Sequence, residues 1–190
     1  MFKQLILIAA LLFSTIVSSA ASQQDINPLF PQIGQHGDVE SVQSLFDEVV
    51  SWINANFDLP TTPERPAIEF ASTTRLTKMR LDDRATWHGF NSEQANAVSA
   101  RNVVAVYDTS SRTIFLPEGW TGNSPTEQSI FVHELVHHFQ NVAHQRFECP
   151  AAREKLAYLA QAKWLEKFGM TLEKEFDLDM FTIVVSSACM

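Results

Sequence analysis

Residues 124–140 read Ser-Pro-Thr-Glu-Gln-Ser-Ile-Phe-Val-His-Glu-Leu-Val-His-His-Phe-Gln, and the rest of the chain is understood from this stretch. Ser124 can cap a helix, Pro125 stands where a missing N–H costs nothing, and Glu127 can reach back to the cap. Ile130, Phe131, Leu135, Val136 and Phe139 carry the helix on to about Val142. Inside it lies His133-Glu134-Leu135-Val136-His137. Positions four apart share one helix face, so two imidazoles can reach one ion from the same side. The pattern arises by chance roughly once in a hundred chains of this composition if positions are independent. Two surface histidines beside an incidental glutamate are the plain alternative, and the strong capping of the helix counts against it.

The spacing suits hydrolysis. Two neutral nitrogen ligands leave a zinc ion strongly Lewis acidic, and an open position can hold a water whose pKa falls to about 7. Glu134 stands next to His133, placed to take a proton from that water and pass it to a leaving amine. Zinc requires one more protein ligand. Glu154 follows His137 by 17 residues, on a helix expected from Pro150 to Phe168 with Gly169 as its C-cap. A helix-turn-helix can bring that carboxylate back over the first helix. Glu148, His144 and His138 are the alternatives, and a first-turn helix glutamate interacting with the dipole is the plain reading of Glu154.

Around this centre the chain reads as one domain over residues 38–190. Asp38 can cap a helix to about Phe57, with Val42, Leu45, Phe46, Val49, Ile53 and Phe57 on its apolar face. Three prolines between Pro60 and Pro66 exclude helix there, and Ala67 to Ser72 suits a strand. Residues 75–97, with Trp87, His88 and Phe90, are ambiguous. Val103 to Tyr107 and Thr113 to Leu116 flank turn residues and predict a hairpin. Asp177 to Ala188 is short and apolar, helix or strand. Trp120, Phe131, Phe139 and Trp164 are expected in the core or a cleft wall. The fold class expected is α+β, a small twisted sheet packed on the motif helix and its neighbours.

Residues 1–21 have the form of a signal peptide: Lys3, an apolar run from Leu5 to Val17, then small residues to Ala21. Residues 22–37 read as an extended lead-in. Secretion or a periplasmic location is the expectation, with no membrane association after cleavage. Cys149 and Cys189 are then expected to pair in an oxidising compartment. The chain has 14 basic and 22 acidic residues, and loss of Lys3 leaves a net charge of −9. Nothing supplies the basic surface that nucleic acid requires.

The motif and the helix from Pro150 to Tyr158 resemble the zincin metallopeptidases, of the gluzincin kind. More narrowly, they resemble small secreted bacterial HExxH proteins that form a domain-of-unknown-function family. The likeness covers about residues 100–165. It implies a minimal zincin-like domain with zinc on His133, His137 and Glu154, Glu134 as general base, and an edge strand at the hairpin that pairs with an extended peptide or protein substrate. Two departures stand out. The gap to Glu154 is shorter than in large gluzincins, and their acidic residue four positions after the third ligand is here Tyr158. Some other group must then orient the metal-binding imidazoles. Tyr158, His138 and His144 are candidate donors to a developing oxyanion, Tyr158 sharing the helix face of Glu154. A tyrosine packed with its hydroxyl at the rim is the alternative. The competing functional reading is a non-catalytic metal-binding or protein-interaction module that keeps the fold.

Overall fold

Val42, Leu45, Phe46, Val49 and Ile53 form one buried stripe on helix α1 (Val39–Asn56), as their spacing requires. The computed structural model describes residues 39–85 and 105–189. The expected leader (1–21), the lead-in (22–37), Asp38, Trp87, His88, Phe90 and Val103-Val104 lie outside them.

Three strands form one mixed sheet. Strand β1 (Ala67–Ala71) leads into helix α2 (Thr73–Ala85), and the hairpin strands follow as β2 (Val106–Asp108) and β3 (Thr113–Pro117). The order is β1-β3-β2, with β3 parallel to β1 and antiparallel to β2. The hairpin register differs by one residue from the expected turn at Asp108, because Asp108 pairs with Thr113. Its carboxylate accepts the N–H groups of Ser110 (2.7 Å) and Ser111 (3.2 Å), which ties the loop to the strand end. Arg112 closes the turn in the left-handed region at φ 53°.

Strand alternation divides the core. Ile114, Leu116 and Tyr107 join α1 and the motif helix on one face, while Phe115 and Val106 pack with Ala71 and Leu76 on the other. Helix α2 covers that second face with few apolar side chains, chiefly Leu76 and the partly buried Met79.

The motif helix α3 (Pro125–Val142) has its capping box, with Ser124 and Glu127 satisfying each other's backbone donors. Every residue from Gln128 to Gln140 is buried. Helix α4 (Ala152–Glu166) starts two residues after Pro150, because Ala152 N–H donates to the Cys149 carbonyl in a preceding turn. Trp164 on α4 is fully buried and meets Trp52 of α1 edge-on at 5.0 Å, while Phe46 of α1 packs on Phe139 of α3. Two short helices finish the described chain, α5 (Leu172–Phe176) and α6 (Met180–Ser186). The apolar C-terminal segment is therefore helical. Only Ile183 of α6 is buried among its large apolar residues, and Phe181 and Val184 are exposed. A disulfide joins Cys149 to Cys189, tying this end to the loop before α4. No helix of the described residues is long and apolar enough to cross a membrane.

Candidate metal centre

The paired helices α3 and α4 bring three donor atoms to one point. His133 Nε2 lies 3.1 Å from His137 Nε2, and each lies 3.3 Å from Glu154 Oε2. Tetrahedral zinc with bonds near 2.0–2.1 Å needs ligand atoms about 3.3–3.4 Å apart, so the spacing fits such an ion. This is the one group of at least three potential ligands among the described residues.

Hydrogen bonding fixes which nitrogen of each ring is bare. Gln140 Nε2 donates to the Arg153 carbonyl at 3.0 Å, which turns its Oε1 toward His137 Nδ1, also at 3.0 Å. That oxygen can only accept, so Nδ1 carries the proton and Nε2 a lone pair. His133 is held likewise. Gln161 Nε2 donates to Ser129 Oγ (3.4 Å), whose own hydroxyl donates to the Thr126 carbonyl, and Gln161 Oε1 faces His133 Nδ1 at 3.1 Å. Two lone pairs and a carboxylate oxygen therefore converge, and Glu154 Oε2 accepts no hydrogen bond although buried. A cation or a proton at the centre relieves that arrangement. Burial by itself would raise the Glu154 pKa. The electrostatic pull of the neighbouring His137 and of Arg80 outweighs it, and the carboxyl is held well below its ordinary range.

Glu134 is buried at 4% exposure, and its Oε2 also lacks a hydrogen-bond partner. An unpaired buried carboxylate oxygen is costly unless something polar comes to it. It stands one residue from His133, on the same helix.

The other candidates are placed elsewhere. His138 is fully buried but points away: its Nε2 donates to the Glu64 carbonyl at 2.9 Å and its Nδ1 meets the Tyr107 hydroxyl at 3.2 Å. Burial pushes its pKa down. His144 and Glu148 are exposed in the loop after α3. Tyr158 sets its ring edge-on against the His133 ring, with centroids 4.6 Å apart, and packs against the small cluster of Leu165, Leu172 and Ile183. It forms a wall of the donor cluster.

Residues 38–190 match DUF6647, described as a domain of unknown function. The chain belongs to this family. No curated protein and no solved structure matches it. The DUF6647 match takes in His133, Glu134, His137 and Glu154, together with the residues that hold them. Three of those residues are not evident from the motif. Gln140 sits one turn past His137, Gln161 two turns past Glu154, and Arg80 comes from α2 with Nη2 3.8 Å from Glu154 Oε2. The first two stand at helical spacings that a search for ring partners could use; Arg80 has no local signal.

Proposed function

We propose that this member of DUF6647 is a zinc-dependent hydrolase acting outside the cytoplasm on peptide amides, a minimal zincin-like metallopeptidase. The observation that carries the reading is the convergence of two tautomer-fixed Nε2 atoms and one carboxylate oxygen, with Glu134, one residue from His133, buried and its Oε2 without a hydrogen-bond partner. His133, His137 and Glu154 would hold the metal. Zinc there supplies Lewis acidity, polarising an amide carbonyl and making a nearby water acidic enough to lose a proton near neutral pH.

The chain's own residues then divide the work. Gln140 and Gln161 keep both imidazoles in the tautomer that ligates. Glu134 has no protein partner for Oε2, which leaves that oxygen to receive a proton from water and deliver it to the leaving nitrogen. The buried helix around it limits reorganisation during the transfer. An extended substrate pairing along the hairpin is the mode that the zincin likeness implies. Tyr158 is the proposed donor to the developing oxyanion. The disulfide and the signal-like start of the sequence support an oxidising, extracytoplasmic setting.

The test is a Glu134→Gln variant assayed on a peptide library. Zinc content equal to wild type, with hydrolysis reduced at least about a hundredfold, is the expected result. Hydrolysis unchanged in the variant would overturn the assignment of the base. No hydrolysis by zinc-loaded wild type of any library member would instead favour the non-catalytic metal-binding module.

A further inference from the structure

The Cys149–Cys189 bond joins two segments, and each of them leads to a donor of the metal centre. On one side Cys149 opens the turn that starts α4. The Ala152 N–H donates to its carbonyl, and the N–H groups of Arg153 and Glu154 donate to the carbonyls of Pro150 and Ala151. Glu154 therefore stands in the first turn of α4. Ala151, at the cap position, has no side-chain acceptor to offer that turn. Gln140 Nε2, on the Arg153 carbonyl, is a tie to it from α3. A helix start without a side-chain cap opens more readily than the helix interior.

On the other side Cys189 follows α6. Ile183 of α6 packs with Leu165 and Leu172 in the cluster that Tyr158 also joins, and the Tyr158 ring lies edge-on to His133. Met180, Phe181, Val184 and Val185 are exposed, so α6 gains little hold from burial. The covalent bond to Cys149 supplies much of the restraint on its position. Release of that bond loosens the support of Glu154 through the start of α4, and that of His133 through Ile183 and Tyr158. Cys189 is exposed and Cys149 half-buried, so a thiol in solution can reach the bond.

We propose that the Cys149–Cys189 bond is a redox switch on metal retention: with the bond intact the three donors hold zinc tightly, and with the two thiols free they hold it weakly. This rests on the zinc reading above and adds regulation to it. The reductant is a thiol. Two reductant thiols become one disulfide, and the two cysteines receive the two electrons and two protons. Metal loading then follows disulfide formation. The coupling is reciprocal, so zinc also favours the disulfide over the dithiol form.

The experiment uses the full-length protein, with zinc per chain measured first in oxidised wild type. Competition with a chromophoric chelator gives the zinc affinity of oxidised wild type and of the Cys149→Ala/Cys189→Ala double variant, and circular dichroism checks the helices. The variant is expected to bind zinc about tenfold or more weakly. A second measurement needs no variant. Wild type is equilibrated in glutathione buffers with and without saturating zinc, and its thiols are trapped by alkylation and counted by mass spectrometry. Zinc is expected to move the midpoint toward the disulfide by a similar factor. Equal zinc affinity in a folded variant overturns the switch and leaves the metal centre standing. A midpoint that zinc leaves in place, or moves toward the thiols, overturns it too, and decides the matter alone where the variant loses its helical signal. A wild type that binds no zinc removes the metal reading, and this one with it.

Discussion

Gln140 holds His137 with its amide oxygen 3.0 Å from Nδ1. Its amide nitrogen is committed elsewhere, to the Arg153 carbonyl next to Glu154. One side chain thus ties the second histidine of the motif to the start of the helix that brings the third donor. The partner of the imidazole is a neutral amide, which fixes the ring without adding a negative charge to the site.

Replacing Gln140 or Gln161 with Leu should therefore weaken zinc binding roughly 10–100-fold each, with little loss of helix. Chelator competition measures the affinity, and circular dichroism checks the fold. Replacement by Glu keeps an acceptor at the ring and should restore much of the affinity. Unchanged affinity in both Leu variants would show that the amides do not orient the rings.

What could be read from residues alone was local. Ser124, Pro125 and Glu127 lie within one turn of one another, and the motif spans another turn, so their consequences needed no knowledge of distant chain. Glu154 was within reach because the connection between α3 and α4 is short. The parallel pairing of β1 with β3 joins residues about 46 apart and leaves no local trace. Helix α2 was ambiguous because Leu76 and Met79 are nearly its whole apolar face. Arg80 belongs to that helix, so its approach to Glu154 depends on the tertiary fold. The short helices α5 and α6 are set by caps, Thr171 and Asp179, more than by periodicity.

The Cys149–Cys189 bond closes a loop of 40 residues that contains α4, α5 and α6. Converting both cysteines to serine should cost about 3–4 kcal/mol through the gain in unfolded-chain entropy. Urea unfolding of oxidised wild type against the double variant reads this directly. A midpoint that does not fall would mean that the bond adds nothing to the folded state.

Asp179 caps α6, accepting the Thr182 N–H at 2.7 Å and its hydroxyl at 2.9 Å. The Thr182 backbone N–H, then the hydroxyl, hold its pKa below the ordinary 3.8. The sign follows: a depressed carboxyl stabilises the fold above its unfolded pKa, and that contribution is lost as pH falls through the lower folded value. Carboxyl-carbon NMR of Asp179 should give a midpoint under 3.8. A midpoint at or above that value would mean that the cap is not held in solution.

One zinc ion held by His133, His137 and Glu154 is the proposal on which the function depends. Metal content of the purified protein tests it most directly, with wild type measured beside His137→Ala and Glu154→Ala. About one zinc per wild-type chain, removed by chelator, is expected, with loss of that zinc in both variants. Zinc kept by Glu154→Ala at wild-type affinity would contradict the three-donor centre. A wild type that takes up no zinc on reconstitution would contradict the metal reading altogether.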